Sequence, residues 1–143
     1  MPDLRSFVPA LLDLCAKAGE VISHYYETPG SAGCSNKADN SPLTRADLDS
    51  HRLLEQGLAK LAPGLPVLSE ESPADVVAGR RQWQRFWLVD PLDGTREFLD
   101  RTDEFTVNIA LIEAHRPSLG ILYLPVQQCA YVGIPGVESS CCR

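Results

Sequence analysis

The chain lacks the features of a membrane-spanning or nucleic-acid-binding protein. Its longest apolar runs, such as 119–126, are far shorter than the ~20 residues that a transmembrane helix needs. Its 13 Lys and Arg are outnumbered by 19 Asp and Glu, and the net charge of -6 argues against a nucleic-acid polymer as partner. The N-terminal residues are interrupted by Asp13, Lys17 and Glu20, which is unlike a signal peptide. We therefore expect a cytoplasmic protein.

The sequence also lacks a disulfide or zinc pattern. Its five cysteines form no CxxC pair and have no His at zinc-ligand spacing. They are Cys15, Cys34, Cys129, Cys141 and Cys142. Reduced thiols of a cytoplasmic protein account for this odd, scattered set more simply than disulfides do. Cys15 falls at an apolar helical position, so we expect it in the core.

What is present is the composition of an ordinary globular domain, 44% hydrophobic and 22% charged, in 143 residues. Apolar residues at three- and four-residue steps predict a first helix over about 6–27. A second helix should follow Thr44 and end before Pro63-Gly64. A loop is expected at 29–33, between the two helices.

Strand patterns occupy the second half of the chain. Short apolar runs predict strands at 66–69 and 86–89, and strict alternation predicts another over 105–111. A turn at 115–118 would return the chain as 119–124, which makes a hairpin. A further strand at 131–132 is weakened by the glycines and proline that follow. The fold class is therefore α+β, with a helix pair packed on a largely antiparallel sheet.

Carboxylates follow two of the predicted strands. The strand 86–89 delivers Asp90 and Asp93 onto a loop closed by Gly94-Thr95, and Glu70 and Glu71 end the strand before it. Carboxylates held close together repel each other unless a cation lies between them. Hard oxygen ligands of this kind suit Mg²⁺, which keeps several waters and shares phosphate oxygens. Of the two glutamates, Glu71 is the more ambiguous, because one of an adjacent pair usually faces water.

The loop itself has features that a metal and phosphate site would use. Pro91 stiffens the turn and leaves the Leu92 carbonyl as a further ligand. Gly94 permits a tight backbone, and Thr95 begins a helix whose free N–H groups could hold an anion. The competing interpretation is a simple turn followed by a capped helix. The apolar strand before the loop and the glutamates on a separate strand favour the site.

Asp47 has two interpretations that the sequence leaves open. The segment 44–47 fits a capping box, in which Thr44 caps the helix and Asp47 bonds back. A catalytic role fits equally well. Elsewhere, Lys37 and Arg101 are expected to be solvated surface charges. The three histidines show no triad or metal spacing, and Trp83 and Trp87 are expected in the core.

These motifs resemble the inositol monophosphatase superfamily of magnesium-dependent, lithium-sensitive phosphatases. The resemblance rests on Trp87-Leu-Val-Asp-Pro-Leu-Asp-Gly-Thr95, preceded by Ser69-Glu-Glu71, and runs from the first helix to about Val126. Within that superfamily, the stretches 37–47, 82–87 and 104–111 are most similar to the bacterial 3'(2'),5'-bisphosphate nucleotidases. The haloacid-dehalogenase phosphatases are the nearest mimic, but they place only one residue between the two aspartates.

The resemblance implies a role for each site residue. Glu70, Asp90 and the Leu92 carbonyl would hold a first Mg²⁺, and Asp90 with Asp93 a second. Gly94 and Thr95 would contact the scissile phosphate. Thr95 paired with Asp47 would orient the attacking water, and Glu70, Leu92 and Asp93 would also border the substrate.

The implied reaction removes the 3'-phosphate of adenosine 3',5'-bisphosphate to give AMP, which clears a by-product of sulfate assimilation. The substrate is a small phosphorylated nucleotide, and the cofactor is two or more Mg²⁺ ions. Inositol monophosphate is the alternative substrate. The implied location is the cytoplasm, with at most a peripheral contact on the cytoplasmic side of the inner membrane.

The family fold has a second, C-terminal half, and nothing in this sequence matches its Trp-Asp motif. We therefore expect residues 1–126 to form an N-terminal metal-binding domain and 127–143 a divergent tail, with the C-terminal domain missing. A non-catalytic fragment that only binds metal and phosphate is then a second functional hypothesis. An exposed sheet edge, where the remainder would pack, could support self-association.

Overall fold

The computed structural model describes residues 4–28, 30, 33–36, 42–136 and 138–142. Lys37, expected to be a solvated surface charge, lies outside these ranges, as does part of the loop expected at 29–33. None of the helices in the described part of the chain is long and apolar enough to cross a bilayer.

Four α-helices and eight β-strands form within the described residues, together with single 3-10 turns at Leu4–Phe7 and Arg80–Gln82. The helices are α1 Val8–Tyr26, α2 Arg45–Leu61, α3 Ala74–Gly79 and α4 Thr95–Asp100. The strands are β1 Ser35–Asn36, β2 Pro42–Leu43, β3 Val67–Ser69, β4 Arg85–Asp93, β5 Thr106–Glu113, β6 Arg116–Leu124, β7 Cys129–Ile134 and β8 Glu138–Cys142. The predicted α+β fold, a helix pair on a largely antiparallel sheet, is confirmed.

The helix pair is formed by α1 and α2, which pack closely against each other. α1 buries one face at helical spacing, from Leu11 through Cys15 to Ile22. Gly57 on α2 permits the close approach, because a Cβ there would lie 2.1 Å from Leu14 Cδ2. Burial raises the pKa of the Cys15 thiol to about 12, so this cysteine is a neutral core residue, as predicted.

The main sheet has the order β3-β4-β5-β6-β7-β8, and only β3 and β4 run parallel. Val67 pairs with Trp87 and Ser69 with Val89. Parallel strands end at the same edge of a sheet, so the residues that follow β3 and those that end β4 emerge together. Glu70 and Asp90 therefore lie at one edge of the sheet, as expected, whereas the joint site that they would form with Asp93 stays a prediction.

One face of the sheet carries the core and the other is largely open. Trp87 is fully buried under the helices and meets Phe7 edge-on, with ring centroids 5.6 Å apart. On the opposite face, Leu88 is 43% exposed and Tyr131 is 52% exposed. Asp90 and Asp93 lie near the end of β4, so the candidate site residues are at the edge of the sheet rather than inside the core.

The hairpin between β5 and β6 is confirmed, but its turn differs from the prediction. The turn is made by Ala114 and His115, which adopt positive φ of 49° and 64°. Pro117 and Ser118, predicted in the turn, belong to β6. They fit there because the register shifts between Leu111 and Ile112, and a bulge tolerates proline within a strand.

The end of the chain extends the sheet. β7 forms over 129–134 although glycine and proline weakened that prediction, since its pairing with β6 compensates for poor local propensity. β8 then pairs antiparallel with β7 and forms an edge of the sheet. The boundary proposed after Val126 stays a prediction, because strand pairing does not report on ancestry.

Candidate active site

A bulge at the end of β4 brings Asp90 and Asp93 to the same face of the sheet. Residues three apart on a regular strand point to opposite faces. Here Asp90 pairs with Asn108 and Asp93 with Thr106, so β4 contains one residue more than β5 over this stretch. Asp90 shares the face of its partner Asn108, and the Asn108 amide donates to Asp93 Oδ2 at 3.1 Å. The two carboxylates therefore lie near one another.

Glu70 joins this group from the neighbouring strand. It is exposed directly after β3, and its backbone N–H donates to the Val89 carbonyl at 3.3 Å. Glu70, Asp90 and Asn108 border an open cavity of about 520 Å³. Glu71 is half-buried, and its N–H donates to Ser69 Oγ at 3.2 Å. Glu70 is therefore the glutamate that borders this cavity together with Asp90.

Asp47 is both a helix cap and a partner of Thr95. Its Oδ2 accepts from the Thr44 N–H at 2.9 Å and the Thr44 hydroxyl at 2.6 Å, which completes the capping box. Its Oδ1 accepts from the Thr95 hydroxyl at 2.8 Å. The side chain is only 1% exposed. The two interpretations of Asp47 are thus compatible, because each carboxylate oxygen serves one of them.

Thr95 lies two residues after Asp93, at the start of α4. Gly94 adopts φ 89° and ψ 44°, a left-handed conformation that glycine adopts without steric cost, and so turns the chain from β4 into the helix. The Thr95 hydroxyl is also 3.3 Å from the Leu92 carbonyl. The Thr95 hydroxyl donates its hydrogen to Asp47 rather than to Leu92, because the bond to Asp47 is shorter and charge-assisted. The Thr95 oxygen therefore keeps its lone pairs free to accept a hydrogen bond.

An aromatic cluster anchors α4 and the loop that follows it. Tyr26 contacts Phe98 and Phe105 with ring centroids 5.4 and 4.7 Å apart, and the Arg101 guanidinium lies 4.2 Å from its ring centre. The Tyr26 hydroxyl donates to Asp103. Burial first, and then this hydrogen bond, raise the pKa of Tyr26, so the phenol remains a donor. Arg101 is exposed, as expected of a surface charge, and its guanidinium also packs on Tyr26.

Two residues of the site escaped the sequence analysis. Ser50, one turn beyond Asp47 and fully buried, donates to the Pro91 carbonyl at 2.7 Å and so ties α2 to the bulge. Asn108 holds Asp93. The available signal for Ser50 was a serine at a core position of α2, whereas Asn108 occupies an ordinary polar position of the alternating β5 pattern.

The donor set fits a hard divalent cation. Asp90, Asp93 and Glu70 carry carboxylate oxygens, and the Leu92 carbonyl, 3.3 Å from the Thr95 hydroxyl, is a further oxygen of the same loop. Within the residues that the structure describes, no three His, Cys, Asp or Glu side chains converge as a preformed metal centre. An ion that retains waters, as Mg²⁺ does, suits such an arrangement. When bound, it would supply Lewis acidity toward water and phosphate oxygens.

Thr95 and Asp47 can orient a water molecule beside such an ion. Because the Thr95 hydroxyl donates its hydrogen bond to Asp47, the Thr95 oxygen can accept a hydrogen bond from a water and so orient that water. Asp47 is fixed by the cap, so Thr95 has one preferred direction in which to donate. The arrangement suits hydrolysis in which water is the nucleophile and no protein side chain becomes covalently modified.

Replacing Ser50 by alanine is expected to destabilise the protein by ~1–3 kcal/mol, because the buried Pro91 carbonyl loses its donor. Ser118→Ala is the matched control, since Ser118 also donates to a backbone carbonyl, at 3.3 Å and away from the site. Urea unfolding followed by circular dichroism measures both. Equal losses for the two variants would contradict a special role of Ser50 in holding the bulge.

Comparison with protein families places the chain. The model of the inositol monophosphatase family matches residues 3–143, and the chain belongs to that family. Its members are metal-dependent phosphatases. The resemblance expected from the sequence is therefore confirmed.

Among individual proteins, the chain is most clearly similar to the nucleotidase branch. It is 49% identical over 123 residues to the 3'(2'),5'-bisphosphate nucleotidase CysQ of Shigella flexneri, covering 86% of this chain and 50% of that protein. The crystal structure of CysQ from Bacteroides thetaiotaomicron is 44% identical, with a TM-score of 0.80, over 97% of this chain and 49% of that one.

A more distant solved structure shares the fold. An IMPase/NADP phosphatase complexed with NADP and Ca²⁺ is 19% identical, with a TM-score of 0.84. The match covers 99% of this chain and 52% of that one. The chain thus spans about half the length of the relatives that it matches.

Proposed function

We propose that the chain is a Mg²⁺-dependent phosphatase that converts adenosine 3',5'-bisphosphate to AMP and inorganic phosphate. Water attacks the 3'-phosphorus, the bond to the ribose 3'-oxygen breaks, and that oxygen takes up a proton. The observation that carries this proposal is the 2.8 Å bond from Thr95 to the buried Asp47, two residues beyond the carboxylate of Asp93. The similarity to CysQ proteins supports the choice of substrate.

The proposed roles divide the site into three parts. Glu70, Asp90 and the Leu92 carbonyl would hold a first Mg²⁺, and Asp90 with Asp93 a second. Gly94 and Thr95, with Glu70, Leu92 and Asp93, would border the scissile phosphate. Thr95 and Asp47 would orient the water. Each role is supported by the placement of these residues around the β4 bulge and by their chemistry.

Phosphate release by the purified chain tests the proposal. Adenosine 3',5'-bisphosphate and inositol monophosphate are supplied in parallel, each with Mg²⁺ and each with EDTA. We expect Mg²⁺-dependent release from the nucleotide that exceeds release from the inositol phosphate. Preference for the inositol phosphate would shift the substrate to the alternative, and release that persists in EDTA would contradict metal dependence.

A second candidate function is a fragment that binds a cation and phosphate without catalysis. One observation favours it: no three acidic or other ligand side chains converge in the described part of the chain. Cation binding without phosphate release from either substrate, by a chain with a folded spectrum, would support this candidate over the phosphatase.

We further propose the setting in which the chain acts. The cytoplasm is supported by the free thiols of Cys15 and Cys34, and contact with the inner membrane would be peripheral. Residues 1–126 would form the metal-binding domain, followed by a divergent tail. The sheet edge at β8 would allow self-association, which sedimentation at increasing protein concentration would detect.

A further inference from the structure

Asn108 occupies a defined position in the site. It lies on β5 directly opposite Asp90, and its Nδ2 donates to Asp93 Oδ2 at 3.1 Å. A carboxylate without its proton can only accept hydrogen bonds, so the NH₂ end of the amide must face Asp93. This bond therefore fixes the orientation of the amide and directs the Asn108 oxygen elsewhere.

The amide oxygen of Asn108 is left without a donor. Asn108 Oδ1 is buried and has no hydrogen-bond partner among the described residues. Burying such an oxygen without a donor is unfavourable, because it loses the hydrogen bonds that water would make to it. A polar atom in this position is typical of a site whose donor arrives with a bound group.

The surroundings indicate what that donor is. Asn108 borders the cavity that also contains Glu70 and Asp90, and ionised carboxylates cannot donate to an amide oxygen. Leu88 and Leu122, from the adjacent strands, are apolar, and the one phenol among the lining residues, Tyr131, lies on β7, two strands away from Asn108. A water bound to a divalent cation is a strong donor, because the ion polarises its O–H bonds.

We propose that Asn108 is a positioning residue of the cation site. Its Nδ2 holds the Asp93 carboxylate in place, and its Oδ1 accepts a hydrogen bond from a water in the coordination shell of the ion at Asp90 and Asp93. The inference rests on the proposed function, since it needs a cation at those aspartates. Residues that orient metal ligands in this way affect affinity without touching the ion.

Mn²⁺, which replaces Mg²⁺ and can be followed directly, is the probe. Asn108→Leu keeps the size of the side chain but removes both polar atoms, and Asn108→Ala is the second variant if leucine does not fit. Ser118→Ala, in the same sheet but away from the cavity, is the control. Mn²⁺ affinity is measured by calorimetry, and Tm is measured in EDTA and again with saturating Mn²⁺.

For both Asn108 variants we expect the Kd for Mn²⁺ to rise ~10–100-fold. Their Tm in EDTA should be unchanged or higher, because the buried oxygen without a donor is gone. The gain in Tm on adding Mn²⁺ should shrink, while the control keeps it. A purely structural role would do the reverse, lowering Tm in EDTA and leaving the Mn²⁺ gain intact.

The two possible failures are distinguishable. Suppose that the unaltered chain binds Mn²⁺, that the Asp93→Asn variant does not, and that the Asn108 variants bind as tightly as the parent. The inference about Asn108 is then wrong, and the proposed cation site stands. If the unaltered chain binds no Mn²⁺, both are wrong.

Discussion

Replacing Asp90 and Asp93 together by asparagine should weaken Mn²⁺ binding by more than ~100-fold, beyond what the loss of an outer partner causes. Both carboxylates lie on one face of β4 because of the bulge, and each is a hard, charged ligand. An amide oxygen carries no net charge, so the double variant loses the attraction that offsets stripping water from the ion. Calorimetric titration with Mn²⁺ measures the effect, and circular dichroism confirms the fold.

The matched control removes the same charge elsewhere. Asp75 and Asp100 are exposed, on α3 and at the end of α4, so the variant Asp75→Asn with Asp100→Asn has an identical change in net charge. It should bind Mn²⁺ like the parent. If both double variants lose affinity equally, the effect is a general one of charge, and the assignment of Asp90 and Asp93 is contradicted.

Asp47→Asn is expected to lower the rate of phosphate release by about 100-fold or more, without weakening Mn²⁺ binding. A carboxylate accepts on both oxygens, but an amide accepts on one only. The Thr44 N–H is a donor, so the amide oxygen must remain with Thr44 and the NH₂ must face Thr95. The hydroxyl of Thr95 would then accept where it now donates, and its oxygen could no longer orient a water.

Asp49→Asn is the control for this variant. Asp49 is also on α2, but it contacts Tyr25 and Arg52 rather than the site. Its replacement should leave the rate of phosphate release unchanged. An Asp47→Asn protein that is folded, binds Mn²⁺ and hydrolyses at the parent rate would show that the bond between Asp47 and Thr95 is only structural.

Much of this architecture was predictable from local patterns. Apolar spacing identified α1 and α2, and the alternation over 105–111 identified β5. The apolar runs at 66–69 and 86–89 correctly indicated two strands that end together, which placed Glu70 near Asp90. These features follow from side-chain periodicity, so a sequence is enough to find them.

The features that sequence patterns missed depend on pairing between strands. β4 was expected to end at Val89 but continues to Asp93, because its pairing with β5 resumes at Asp93 after the bulge that follows Asp90. A bulge is defined by two strands in register, and neither strand specifies it alone. The short helix α3 was not predicted from the sequence.

The two residues of the site that the sequence did not indicate also depend on contacts between distant segments. Ser50 and Asn108 act on the loop from α2 and β5, at sequence separations of 41 and 15 from their partners Pro91 and Asp93. Their types are ordinary for a helix and a strand, so only the tertiary contact identifies them. Asp47 differs, since its capping box was visible in sequence and the additional bond to Thr95 was not.

The location of the bound cation is the most direct test of the central claim that the β4 bulge forms its site. A ¹⁵N-labelled chain is titrated with substoichiometric Mn²⁺, which broadens the NMR signals of nearby nuclei. The account predicts that the backbone amides of Glu70, Asp93 and Thr95, and the side-chain NH₂ of Asn108, broaden first. Broadening that starts elsewhere, for example along the groove between α1 and α2 that contains Asp13 and Arg52, or no broadening at all, would contradict it.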